Sequence, residues 1–209
     1  MSFWLRFFAA AFLALGATSV MAIEEPDYEV LQSTEHYEVR RYDPYIIAEV
    51  DVSGCRNEAG NLAFRILAGY IFGDNRSRKK MEMTAPVSSR SADSIKMDMT
   101  APVTSVTSTR GEHTFAFVME KKYTLDTLPV PNDERIRIRV MPERIMAVRQ
   151  YSGRWSESNY QQNESALLRA LDADGIEPLE APILARYNAP FTPWFLRRNE
   201  SMVEIDWPV

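Results

Sequence analysis

Residues Tyr37–Gly54 read YEVRRYDPYIIAEVDVSG. Two runs of strand-forming residues flank the step Asp43-Pro44. Aromatic and β-branched side chains suit a pleated, half-buried surface, and an Asp-Pro step suits a turn. Ser53-Gly54 then closes the second run. The pattern returns later in the chain: Arg137–Gly153 reads RIRVMPERIMAVRQYSG. At an offset of 99, Val39 meets Ile138, Ile46 meets Ile145, Ala48 meets Ala147, and Ser53-Gly54 meets Ser152-Gly153. The prolines, Pro44 and Pro142, differ by one position.

A helical pattern follows each Ser-Gly exit, over about 57–72 and about 156–173. Each helix leads to a strand with an Ala-Pro step, Met83–Val87 in the first half and Tyr187–Phe191 in the second. A last strand closes each half, His113–Met119 and then Met202–Trp207. The order is β-β-α-β-β, twice, with pseudo-repeats over about 37–120 and 135–207. This predicts an α+β fold. Two half-sheets that pair edge to edge hide their exposed edges, giving a distorted antiparallel barrel of eight strands flanked by two helices.

The two helices differ. The second is amphipathic, with Tyr160, Leu167, Leu168 and Leu171 near one stripe. In the first, Leu62, Ile66, Leu67 and Tyr70 form one apolar stripe. Phe64, Ala68, Ile71 and Phe72 extend apolar surface onto a second face. Such a helix is either covered on both sides, here by the loop 73–80, or offers an apolar groove to a flat ligand. Arg65 and the basic run Arg76–Lys80 stand ready for acidic groups on that ligand, although a basic run is also what a solvated loop carries.

At the N-terminus Arg6 precedes an apolar run, and Val20-Met21-Ala22 sets small residues at the cleavage positions. Residues 1–22 therefore read as a signal peptide, leaving 23–209 as one domain in the periplasm or secreted, with no membrane span after cleavage. The mature chain loses Arg6 and no acid, taking the formal charge from −5 to −6, which argues against a nucleic-acid partner. Cys55 is the only cysteine, so no internal disulfide is possible, and it reads as a small buried apolar residue. His36 and His113 lack metal-ligand spacing, and His113 reads as a surface residue. No nucleophile–base pair, phosphate loop or nucleophile elbow is present, so the chain reads as a binding protein and not an enzyme.

The octapeptides Lys80–Val87, KMEMTAPV, and Lys96–Val103, KMDMTAPV, are a local echo sixteen residues apart. Methionines alternate with charges in both. Period-two spacing sets the sulfurs on one face, as in a half-buried strand whose methionines fill core gaps. A Cu(I) thioether site, which needs convergent ligands, is the disfavoured alternative.

These octapeptides resemble the MTAPV signature of the SOUL haem-binding protein family. Tyr37–Tyr42 resembles its entry strand, and Phe191–Glu200, FTPWFLRRNE, its closing segment. The match runs from about Tyr28 to Val209. The resemblance implies the duplicated barrel derived above and non-covalent binding of haem or another tetrapyrrole, without a catalytic reaction. It implies a groove along the first helix, with Asn61, Phe64, Ala68 and Gly69 at groove positions. Phe64 would stack on the porphyrin, Arg65 would pair with a propionate, and Ile71 would extend the apolar lining. Some members carry a proposed axial His where this chain has Arg41, a permanent cation and no iron ligand. The expectation is a monomeric exported haem carrier or buffer whose axial ligand the sequence does not pick. The alternative is a module for another amphiphile, or an interaction protein that does not bind haem.

Overall fold

A computed structural model describes residues 23–77, 94–107 and 112–208. The expected signal peptide 1–22, the first octapeptide Lys80–Val87 and the basic residues Arg78, Lys79 and Lys80 lie outside the described residues. The chain forms β1 (Tyr28–Ser33), β2 (Glu38–Tyr42), β3 (Tyr45–Ser53), α1 (Arg56–Ile71), β4 (Asn75–Arg76), β5 (Val103–Thr107), β6 (Glu112–Val118) and β7 (Val130–Pro131). It continues with β8 (Arg137–Met141), β9 (Arg144–Tyr151), α2 (Glu157–Ala173), β10 (Ile183–Arg186) and β11 (Asn199–Glu204). A 3-10 turn, Trp194–Leu196, sits between β10 and β11.

The expected order appears in both halves, as β2-β3-α1-β5-β6 and β8-β9-α2-β10-β11. The strand expected at Tyr187–Phe191 is instead β10, just before it, with Tyr187–Phe191 in the loop that follows, and the strand expected at Met83–Val87 lies outside the described residues. The main sheet is antiparallel and has nine strands where eight were expected, in the order β1-β2-β9-β11-β10-β5-β6-β3-β8. The extra strand is β1, which covers the outer edge of β2. The sheet curls into a half-barrel, and β4 pairs separately with β7.

The segments aligned at offset 99 are partners in space. The strands joined at Asp43-Pro44 do not pair with each other. Instead β2 pairs with β9, and β3 with β8. The register is unbroken past both proline turns, from Glu38 opposite Val148 to Glu49 opposite Arg137. Proline has no N–H to give a ladder, so each turn passes the chain from one half of the sheet to the other without losing a hydrogen bond. The halves meet again where β10 pairs with β5.

Both helices pack on one face of the sheet. From α1, Ala59, Ala63, Leu67, Tyr70 and Ile71 are buried in a cluster with Val50, Val52, Phe115 and Phe117. From α2, Leu167 and Leu171 meet Val39, Ala147 and Val203. Alternation along β9 and β11 puts Met146, Val148 and Met202 on the opposite face, with Tyr42, Ile183, Ala185 and Tyr187. That face also buries a charge: Glu200 is fully enclosed and accepts from Arg40 (3.0 Å), Arg198 (3.0 Å) and Tyr187 (2.6 Å).

Four sequence expectations are corrected here. Leu62 faces outward, because the buried stripe of α1 runs through Ala59 and Ala63. Cys55 is exposed, since it holds the extended residue preceding α1 and not an inward strand position. His113 is buried, its ring nitrogens bound to Thr107 (2.9 Å) and the Gly54 carbonyl (3.1 Å). In the second octapeptide Met97 is buried and Met99 half-buried between exposed Lys96 and Asp98, as the alternation predicts, but no strand begins before Val103. The segment is pinned instead by Met97 N–H to the Ile71 carbonyl (2.8 Å) and Asp98 N–H to Glu120 (2.9 Å).

Candidate functional site

The outer side of α1 is open. Leu62 is 36% exposed, Phe64 41% and Phe72 55%, with Asn61 and Arg65 exposed beside them. Helical spacing aligns Asn61, Phe64, Ala68 and Ile71 along one flank. The Phe64 ring is held edge-on to Phe117, 5.7 Å between centroids, so it is a fixed apolar surface and not a free tail.

The five residues expected from sequence do not all reach that surface. Asn61, Phe64 and Arg65 do. Ala68 is buried, and Ile71 is 2% exposed within the core. For Ile71 the cause is the start of the second octapeptide and the residue before it: Met97 N–H donates to the Ile71 carbonyl, and Ile95 and Met97 join the same cluster. The segment 94–99 thus closes the C-terminal end of the flank. The open part is the N-terminal half of α1, with Phe72 beyond it.

A second apolar surface was not read from sequence. The loop between β10 and β11 exposes Phe191 (89%), Trp194 (50%), Phe195 (59%) and Leu196 (64%). Its shape is set internally. Arg197 donates to the carbonyls of Thr192 (2.8 Å) and Pro190 (2.7 Å), Arg198 N–H donates to Asn188 (2.6 Å), and Gly153 N–H donates to the Trp194 carbonyl (3.0 Å). The signal was the density of large apolar residues in FTPWFL, which a turn of ordinary composition does not carry.

The open face of α1 suits the flat apolar ring of a tetrapyrrole, with Arg65 beside it for an acidic side chain. Among the described residues, no histidine or tyrosine on it is placed to ligate iron. Both nitrogens of His113 are engaged, and His36 lies beside Asp174 at the far end of α2. Tyr70 is buried with its hydroxyl donating to Pro129, and Arg41 pairs with Glu29. Among the described residues no three His, Cys, Asp or Glu side chains converge on a metal position.

A curled antiparallel sheet with two helices on one face defines an α+β half-barrel domain. The match to known families is specific: a model described as SOUL heme-binding protein covers residues 23–204. The chain belongs to the SOUL haem-binding protein family. No curated protein matches it significantly. Among solved structures it is similar in fold to the EcmrR C-terminal domain, at TM-score 0.58 and 8% identity, covering 86% of this chain and 98% of that one. It is likewise similar to a hydrolase from Listeria innocua, at TM-score 0.53 and 10% identity, covering 84% and 94%. An uncharacterized conserved protein from Listeria innocua aligns at TM-score 0.52 and 7% identity, covering 89% and 94%. At such identities the likeness is one of fold.

Proposed function

We propose that this protein is an exported tetrapyrrole carrier or buffer, not an enzyme, that holds haem or a related ring flat against the outer face of α1. Family membership supports haem binding in general. The observation that carries the particular reading is Phe64, a large aromatic side chain left 41% exposed yet held rigid against Phe117. A flat ring laid on it removes that surface from water, the main source of affinity for such ligands. Arg65 supplies the charge for a propionate. With no histidine or tyrosine ligand among the described residues of this face, the ring and its acids are recognised, and the metal is not.

The test is titration of the chain 23–209 with haemin and, separately, with metal-free protoporphyrin IX. Haemin should give a saturable Soret change, and the two affinities should agree within about tenfold, or about 1.4 kcal/mol. Phe64→Asp should weaken both by tenfold or more. No spectral change at micromolar haemin, or full binding by Phe64→Asp, sinks the reading. Haemin binding that far exceeds porphyrin binding sinks the metal-blind part.

The presence of Arg41 at the position of the family's proposed axial His favours a second reading, a module for another amphiphile. Mass spectrometry of the protein purified from its native compartment separates the two. A bound amphiphile without tetrapyrrole supports the second reading.

A further inference from the structure

The helix side of the sheet carries another feature, where the first turns of α1 and α2 meet. Arg56 opens α1, and its Nε lies 2.8 Å from Glu157, which opens α2. Its guanidinium sits 4.7 Å over the Tyr160 ring. Arg186 at the end of β10 and Arg197 beyond the 3-10 turn both lie over Trp155, at 5.1 Å and 4.2 Å. Trp155 is fixed in turn by its indole N–H, which donates to Asn199 (2.8 Å).

The charges here do not balance. Three guanidiniums face two carboxylates, Glu157, whose side chain is 47% exposed, and Glu164, which is bound to Tyr160, so a positive charge is left over. Arg197 commits its N–H groups to loop carbonyls. Arg186 has no ion pair with a described residue, and its Nε is buried without an acceptor among them. Arg56 Nη1 is buried in the same condition. Burial, joined by Arg56 and Arg197, pulls the Arg186 guanidinium below its usual range, while Tyr151 and Glu157 pull the other way. Arginine still keeps its proton near neutral pH, so the excess charge stays. The positive ends of two helices add to it. A buried cation with orphaned N–H groups is unfavourable alone, and each of these terms turns favourable when an anion is present.

We propose that this cluster is an oxyanion site taking a phosphate-class group at Arg56 and Arg186, with Arg197 and Trp155 alongside. The planar fork of arginine matches phosphate oxygens in pairs, and helix N-termini hold phosphate in the same way. The site is distinct from the ring-binding flank of α1. Free phosphate and the head group of an anionic phospholipid share this chemistry. The apolar loop bearing Phe195 and Leu196 is joined to the cluster through Arg197, and its side chains would meet the acyl region of the latter.

The experiment is thermal unfolding of the chain 23–209 in phosphate and in chloride at matched ionic strength. Phosphate should raise Tm by a few degrees at saturation. Arg186→Met keeps the aliphatic stem and removes the uncompensated charge. It should abolish the phosphate response without lowering Tm in chloride. A wild-type protein that responds equally to both salts overturns the proposal, as does an Arg186→Met that is destabilised in chloride or still responds to phosphate. If that variant does not fold, Arg56→Gln replaces it, with the same loss of phosphate response expected and an unchanged response overturning the idea. Co-sedimentation with phosphatidylglycerol and with phosphatidylcholine vesicles assigns the source. Binding to the first alone, lost in Arg186→Met and in Phe195→Ser, identifies a lipid head group. Phosphate stabilisation without vesicle binding identifies the free anion.

Discussion

Glu200→Gln should be among the most damaging single changes in this protein. Glu200 is 0% exposed and receives Arg40 at 3.0 Å, Arg198 at 3.0 Å and the Tyr187 hydroxyl at 2.6 Å. Arg40 is itself only 3% exposed. Burial works against its charge, and Glu200, helped by Tyr42 and Glu38, outweighs it, holding the guanidinium above its ordinary range. Glutamine keeps the shape but removes the charge and turns an N–H₂ toward a donor. Arg40 then keeps Glu38, which is 37% exposed, as its carboxylate partner. Stripping one member from a buried pair costs about 3–5 kcal/mol. That is a large share of the roughly 5–15 kcal/mol that holds a domain folded. Urea unfolding followed by circular dichroism should show the midpoint falling with an unchanged slope. Arg40→Met added to Glu200→Gln should recover about 2 kcal/mol, because it removes the stranded charge. A loss below about 1 kcal/mol for Glu200→Gln, or additive effects in the double variant, would refute the argument. Function should follow stability. Tyr187 and Arg198 bracket the apolar loop, so Glu200 ties down both of its ends.

Two further outcomes are expected. Gly153 and Gly54 both sit at positive φ, +126° and +123°, but a Cβ on Gly153 would meet Asn159 at 2.7 Å while one on Gly54 meets nothing within 4 Å. Both alanine variants should lose about 1–3 kcal/mol to backbone strain, and Gly153→Ala should lose visibly more; equal losses by urea unfolding would count against the contact. Tyr37 is pushed up to about 12 by burial and by its hydrogen bond to Asp174. Folding therefore favours its protonated form, and the stability this contributes is complete below the unfolded value near 10 and is lost as pH rises through 12. Tyr37→Phe should flatten that alkaline fall in stability, and an unchanged profile contradicts the assignment.

Much of this architecture is legible because it is periodic. The strand–turn–strand segments at offset 99 declare themselves through β-branched runs around a proline. The Ser-Gly exits are legible because only glycine takes positive φ freely, as Gly54 and Gly153 do. The proposed ring-binding flank is only partly legible. Phe64 and Arg65 follow from helical spacing, while Ile71 fails because a segment 26 residues on in sequence, around Met97, crosses over it. His113 fails for the same kind of reason, since its partners Thr107 and Gly54 come from a neighbouring strand and from the exit before α1.

The sequence by itself determines two strand–turn–strand segments, the helix after each, and the alternation that puts methionines inward and charges outward. These are local properties, written in residue types at fixed spacing. The tertiary structure alone decides that strands joined by a turn part company and pair with the opposite half. It also decides that Arg56, Arg186 and Arg197 stand together near Trp155, although the last lies 141 residues after the first. Burial and charge balance depend on which surfaces meet, and no spacing rule within one segment records that.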